Sequence, residues 1–488
     1  MIKGSVSKTF RPYDPTQAFL LPPSPLEWLP EGHLAQFILD TVGELDLSAI
    51  LAYYERELRG KPPYHPRMLV ALLVYGYCVG VASSRKIEKK THEDVAFRVL
   101  AGNTHPDHVQ ISEFRRIHLK TLSGLFVQVL LLCQQMKMVK LGHVALDGTK
   151  MKANASKHKA MSYDRMNQDE ARLVAEVAAL MKAAEEADVA EDDKYGKGRA
   201  GDEIPEDLRR RNDRLAKIRA AKAALVAEAK AQAEERAAQA TIDAQAQAAV
   251  VEMNNVRAAH AKDENEDEPP APPSVSRPEN LPQHQVPTQK DGAPTDKAQR
   301  NFTDAESRIM KTNAGFEQGY NAQAVVDDEH QIIVAVGVSN QSPDAEHFLP
   351  MLDRVVENMG AAPKRASADT GYFSEENVRR GEARGIDLYI ATGRTKHNAP
   401  ETPTVAIEDK LTLKTQMKVK LATDEGKAVY SRRKVIVEPV FGQIKNRGFR
   451  SFLLRGLEKV RGEWSLIALS HNLLKLFGFQ ARQAALAA

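Results

Sequence analysis

The chain has 488 residues, of which 42% are hydrophobic and 27% charged, with a formal net charge of +3. That length suggests about three domains of roughly 150 residues each. A net charge so near zero does not announce nucleic acid, so any such partner has to be argued from local clustering. The two cysteines, Cys78 and Cys133, exclude a disulfide scaffold or a cysteine-rich zinc site and read as buried thiols in a reducing compartment. The N-terminal residues lack the apolar run of a signal peptide. The longest apolar stretch, Met68 to Ala82, is shorter than the ~20 residues that span a bilayer. A cytoplasmic protein is expected.

Residues 1–30 are Pro-rich and irregular. From 31 to 138 the apolar spacing is helical, with a strong helix at Pro66–Val81 whose proline suits the first helical position. Shorter helices are predicted at Ser83–Lys90 and Thr91–Leu100, and a longer one at Ile111–Met138. His143–Asp147 then reads as a buried strand ending in an acid. The strand pattern stops for a long interruption. Residues 161–262 hold two amphipathic helices, one presenting Leu173, Val174, Val177, Leu180 and Met181, the other Leu208, Leu215, Ile218 and Leu225. An antiparallel helical, coiled-coil-like hairpin follows from that pattern. Residues 263–300 are rich in proline and acid, which predicts a disordered linker.

Strands resume as a hairpin, Gly319–Asp327 and Gln331–Val338. A helix at Asp344–Asn358, a short strand ending at Asp369, a helix at Ser374–Arg384 capped by Ser374, and a strand at Asp387–Ala391 come next. An irregular basic segment leads into a mostly helical stretch, Val435–Phe477, and a tail at 479–488. The expected fold is therefore a mixed α/β domain, 139–160 with 301–478, split by an insertion and preceded by an all-α domain.

Two aspartates, Asp147 and Asp369, each follow a buried strand and precede a turn-forming pair, Gly148-Thr149 and Thr370-Gly371. Acids at the carboxyl ends of strands are well placed for chemistry in an α/β sheet. One alone is more often a turn or cap residue; two in one domain weaken that reading. Glu438 lies in the apolar run Val435–Lys445, where an acid is costly to bury unless paired or metal-bound, although Pro439 beside it also fits a helix start. Three converging carboxylates repel, and hard divalent cations such as Mg²⁺ or Mn²⁺ resolve that. Two such ions suit an in-line displacement at phosphorus. Around Glu438, the span Lys414–Glu463 carries thirteen Lys/Arg against five acids, a net of +8 where the whole chain has +3. That is an electrostatic footprint for a phosphate backbone, though a charge run is more commonly a solvated face.

Five collinear stretches, YHPRMLVALLVYGYCVGVASSRKIE, HVALDGTKMKANAS, TDAESRIMKTNAGFEQGYNAQAVVD, ASADTGYFSEENV and VEPVFGQIKNRGFRSFLLRGLEKVRGEWSLIALSHNLLKL, resemble the DDE transposases of bacterial insertion sequences, in particular those with an InsH-like helical N-terminal domain. The resemblance implies a ribonuclease-H-like catalytic core and a helical N-terminal DNA-binding domain. It also implies Asp147, Asp369 and Glu438 as catalytic acids and ligands of two Mg²⁺ or Mn²⁺ ions. The family frees 3′-OH ends by hydrolysis and transfers them to target DNA, so terminal inverted repeats and target DNA are the implied partners, held by a homodimer or higher oligomer in the nucleoid. Relatives carry a Tyr-x2-Arg-x3-Glu-x6-Lys signature. Tyr430, Arg433, Glu438 and Lys445 fit it except that four residues, not three, separate Arg433 from Glu438, and Lys434 holds the expected Arg position. These four basic or aromatic positions, Tyr430, Arg433, Lys434 and Lys445, are the implied DNA contacts.

Other residues read more plainly. Asp304 suits a helix cap or local ion pair, Trp464 suits core packing, and His471 stays unassigned. Ser83-Ser84 with Arg85, Lys86, Lys89 and Lys90 suits the start of a DNA-contacting helix. Competing functions are a catalytically silent DNA-binding relative, a metal-dependent nuclease that cuts without joining, and a structural coiled-coil protein, the last resting on the interruption alone.

Overall fold

A computed structural model describes residues 24–56, 62–195, 206–260, 281–312, 315–393 and 412–487. Most of the irregular segment expected at 1–30, the first part of the expected linker, and most of the basic segment before residue 412 lie outside the described residues. The chain divides into two compact units, Met1–Gly76 with Val81–Phe114, and Tyr77–Gly80 with Arg115–Ala488.

The first unit is helical. It contains α1 (Leu34–Glu44), α2 (Ser48–Tyr54), most of α3 (Pro66–Cys78), α4 (Ser84–Glu93), α5 (Val95–Leu100) and the first turns of α6 (His108–Gln135). Asp94 caps α5 by accepting from the Ala96 N–H at 3.0 Å, which satisfies one of the orphan donors of a helix start. Ile38, Val70, Leu72, Leu73, Ile87 and Phe97 are fully or nearly fully buried, as the three-and-four spacing requires. On α4, Arg85, Lys86 and Lys89 are exposed while Ser84 and Ile87 face inward. Helix α6 is long and apolar enough to cross a membrane by length and composition. Its Leu122, Leu125, Phe126, Val129 and Leu130 are buried in protein, which makes it a core helix.

The second unit is built on a six-stranded sheet. Its strands are β1 (His143–Lys152), β4 (Arg308–Thr312), β5 (Gly315–Asp327), β6 (Ile333–Ser339), β7 (Arg365–Ala368) and β8 (Asp387–Ile390). β1 pairs antiparallel with β5 and parallel with β7; β5 pairs antiparallel with β6, and β7 parallel with β8. The spatial order β6-β5-β1-β7-β8, with β4 beside the first part of β5, is the ribonuclease-H-like mixed sheet. The strands are long apolar runs because both faces are covered. α12 (Asp424–Asn446) and α13 (Leu457–Ala487) lie on one face, with Phe441 stacked on Trp464. α9 (Phe348–Met359) and α10 (Glu375–Glu382) lie on the other, and α11 (Leu413–Ala422) runs into α12.

Three expectations need correction here. β1 does not end at Asp147. It runs on to Lys152 because β5 pairs with it from Val144 to Lys152; only the pairing with β7 stops, at Leu146↔Ala368. Residues 281–300 are placed against the core: Leu281 and Val286 are buried, Thr288 bridges to Pro294, and β3 (Gln299–Asn301) pairs with β2 (Ala160–Ser162). A proline-rich composition suggested disorder, yet a few apolar side chains suffice to pin such a segment when they find pockets. Residues 479–487 continue α13 as helix.

Between β2 and β3 rises the hairpin of α7 (Tyr163–Tyr195) and α8 (Glu206–His260). Met166 and Leu173 pack on Leu215 and Ile218, and Asp169–Arg214 and Glu176–Arg211 pair across, so the helices run antiparallel. Val174 and Met181 are exposed, which narrows the predicted apolar face of α7. Leu225 and Ala229 of α8 pack on Val286 and Ala298, and Glu228 takes both Arg300 and Arg308, tying the hairpin to the neck.

Candidate active site

Parallel pairing fixes the first two acids. Because Leu146 and Ala368 are register partners, the next residues, Asp147 and Asp369, leave adjacent strands at the same level. Alternation along β1 sends Asp147 and Thr149 toward α12 and Lys150 toward α9. Burial pushes Asp147 up to about 6; the Gly148 N–H and Arg433 oppose this, while Asp369 and Asp344 add repulsion. Its Oδ1 accepts from Gly148 N–H at 2.7 Å. Asp369 caps the tight turn Thr370–Tyr372 by accepting from Gly371 N–H at 2.8 Å. A Cβ at Gly371 would stand 3.0 Å from Asp369 Oδ1, so glycine keeps the carboxylate clear.

Glu438 sits within α12, not at its start; Pro439 is inside the helix. The basic residue beside it is Arg433. Its buried guanidinium reaches Asp147 Oδ2 at 3.1 Å and Glu438 Oε1 at 3.6 Å, so it bridges a strand acid and a helix acid. The extra residue before Glu438 is thus absorbed by the side chain, and Lys434 points elsewhere, exposed on α12. Tyr430 lies under Arg433, its ring centroid 5.8 Å from the guanidinium carbon. Burial opposes the positive charge of Arg433, but Tyr430, Asp147, Asp369 and Glu438 outweigh it and raise its pKa. Lys445, two turns on, donates to Thr149 Oγ1 at 2.7 Å, and burial pulls its ammonium down.

Among the described residues, no three His, Cys, Asp or Glu side chains are gathered closely enough to hold a metal ion; Arg433 stands between the acids instead. The donor set nonetheless suits a hard divalent cation. All three candidate ligands offer carboxylate oxygen, the donor that hard divalent cations prefer.

One acid of this neighbourhood escaped the sequence reading. Asp344, before α9, is held down at about 2: burial works against its charge, and His347, Lys150 and Asn321 overcome it. It accepts from Asn321 Nδ2 at 2.6 Å, Gln323 Nε2 at 2.9 Å and Lys150 Nζ at 3.1 Å. Gln323 in turn accepts from the buried Tyr372 hydroxyl, so this network supports the Asp369 turn from behind the sheet. Its only local signal, a Ser-Pro-Asp before a helix, looks like an ordinary cap.

The remaining residues are structural. Asp304 is neither cap nor ion pair: buried, it accepts from the Tyr320 hydroxyl at 2.8 Å and the Gly456 N–H at 3.2 Å. Trp464 packs in the core and donates its indole N–H to Gln323 O at 2.9 Å. His471 is buried against the Gln331 carbonyl, and burial pushes it down to about 3. Burial likewise pushes the Cys78 and Cys133 thiols up to about 12.

Two strand-borne aspartates at one level of a ribonuclease-H-like sheet, faced by a helix-borne glutamate, define a protein of the DDE class. Residues 284–473 match the family model described as Transposase DDE domain, and residues 24–116 match the one described as Transposase domain (DUF772). The chain belongs to the DDE transposases of insertion sequences, enzymes that act on DNA; its N-terminal region is compatible with the InsH-like type. Asp369, Tyr430, Arg433, Glu438 and Lys445 fall inside the first match, while Asp147 lies outside both. No curated protein and no solved structure matches the chain.

Proposed function

We propose that this transposase binds the terminal inverted repeats of its element, hydrolyses phosphodiester bonds to free 3′-OH ends, and joins those ends to target DNA. The observation that carries the reading is the Asp147–Arg433–Glu438 bridge beside Asp369, formed from residues far apart in sequence. Asp147, Asp369 and Glu438 are the candidate ligands of two Mg²⁺ or Mn²⁺ ions, which when bound would stabilise the attacking and leaving oxygens of an in-line displacement. Arg433 keeps Asp147 ionised and fixes Glu438 relative to it. Lys445, anchored on Thr149 two residues from Asp147, presents its ammonium beside the acids, where a phosphate of the bound strand is the natural counter-charge. Tyr430 backs the guanidinium, and Lys434 is at most a peripheral backbone contact. Two element ends must be held together, so a dimer or larger assembly on DNA in the cytoplasmic nucleoid is part of this reading, with the first unit as the DNA-recognising module.

Supercoiled DNA carrying the element's ends, incubated with the protein and Mg²⁺, should be nicked at those ends, and precut ends should yield strand-transfer products. Binding without nicking would identify a silent relative. Nicking without joining would identify a nuclease.

A further inference from the structure

A cavity of about 380 Å³ opens between the C-terminal end of α12 and the middle of α13, lined by Gln443, Asn446, Arg447, His471, Leu474 and Lys475. Its charges are all of one sign. Arg447 donates through Nη1 to Ser470 Oγ at 3.0 Å, and its buried Nη2 has no partner. Lys475 donates only to the neutral Gln331 side chain at 2.7 Å. Lys475, Gly478 and Arg482 follow one face of α13 at three-and-four spacing, and Arg482 folds back toward Gly478. Among the described residues no carboxylate pairs with Arg447, Lys475 or Arg482, although most other buried or half-buried cations of this unit have one. His471 adds no positive charge, being held neutral by burial.

A cation at a helix C-terminus is ordinarily explained by the helix dipole, which accounts for Arg447. It does not account for Lys475 and Arg482, which lie on another helix. Arg447 and Lys475, brought together, partly desolvated and left without acids, cost free energy unless an anion joins them. The same helix, capped by Arg447, carries Glu438 nine residues earlier, about 14 Å along the axis and, at about 100° per residue, on its opposite side.

We propose that this cavity is a second phosphate site, in which Arg447 and Lys475, with the exposed Arg482 near Lys475, grip the DNA backbone on the side of α12 turned away from the catalytic acids. The proposal rests on the reading of the chain as a DNA-handling transposase. The site is sequence-independent and takes no part in the chemistry.

The test is the salt dependence of binding to a labelled linear duplex of arbitrary sequence. The full-length wild type is compared with Lys475→Gln, Arg482→Gln, their combination, and Lys475→Arg. Each lost phosphate contact should reduce the slope of log K against log salt by about 0.9, so the double variant should lose about 2, while Lys475→Arg keeps the wild-type slope. Circular dichroism identifies any variant that fails to fold, and the exposed Arg482 makes its variant a safe second reading. If the wild type binds no DNA, the functional reading itself fails. If it binds and the folded variants keep its slope, the site is overturned. Inorganic phosphate stabilising the wild type but not Lys475→Gln, with equal DNA slopes, would mark a free-anion site and also overturn the proposal.

Discussion

Arg433→Gln removes the guanidinium that joins Asp147 to Glu438 and leaves a shorter, neutral side chain. Unit charges about 4 Å apart interact by about 4 kcal/mol at an effective dielectric constant near 20, and the Asp147 contact is closer, at 3.1 Å. Removing one partner of a buried pair costs about 3–5 kcal/mol. The Asp147 side chain is 20% exposed and that of Glu438 53%, so solvent relieves part of the loss, and the Glu438 arm contributes at most about 1 kcal/mol. The expected destabilisation in metal-free buffer is about 3 kcal/mol. At about 2–4 °C per kcal/mol for large domains, that lowers Tm by roughly 6–12 °C. Mg²⁺ should return part of it by replacing the missing positive charge between the acids. Lys434→Gln, one position on and exposed, should stay within about 0.5 kcal/mol of wild type. Thermal unfolding followed by calorimetry, with and without Mg²⁺, reads all of these. A loss under about 1 kcal/mol for Arg433→Gln, or an equal loss for Lys434→Gln, would refute the assignment of the bridge to Arg433.

Asp147→Asn, Asp369→Asn and Glu438→Gln should each abolish end cleavage while leaving duplex binding intact in a gel-shift assay; normal cleavage by any one removes it from the triad. Asp344→Asn should lower cleavage while Lys445-side DNA binding is unchanged, because its lost charge loosens the Lys150 and Gln323 network behind Asp369; an unchanged cleavage rate would make that network dispensable. Asp327 is fully buried and burial raises its pKa to about 6. An acid whose folded pKa lies above its unfolded value favours the folded state when protonated, so its penalty grows as pH rises from about 4 through 6. Urea unfolding at pH 5 and pH 8 should show wild type losing on the order of 1–3 kcal/mol more than Asp327→Asn over that interval; parallel curves would contradict it. Trp464→Phe should cost about 1–3 kcal/mol by leaving the Gln323 carbonyl without its indole donor, read by denaturant unfolding.

The strands and most helices were legible because both rest on local periodicity: β5 and β6 alternate or run apolar, and α9 repeats at three and four. Asp147 and Asp369 were legible because an acid after an apolar run stands out. What stayed hidden depended on long-range geometry. The signature spacing put Lys434 at the expected Arg position and left both Lys434 and Arg433 open; only the reach of Arg433 across to β1, 286 residues away, shows which cation lies between the acids. Asp344 is distinguished by Lys150, 194 residues distant, and nothing beside it in the chain hints at that. Residues 281–300 misled because composition reports average burial, whereas Leu281 and Val286 needed only two pockets.

The hairpin between β2 and β3 also shapes how the sheet comes into being. Leu141 and Asp327, hydrogen-bonded across the base of the sheet, are 186 residues apart, so the central strand leaves the ribosome long before either neighbour exists. Closing a loop of that length as random coil is costly and slow. α7 and α8 pair with each other by local contacts and bring the two ends of the interruption side by side at β2 and β3. The insertion thus divides one long closure into smaller ones. Its helices should gain protection from hydrogen exchange before β1 does, and β1 should spend the interval as an exposed apolar strand, the stage at which this chain is most prone to aggregate.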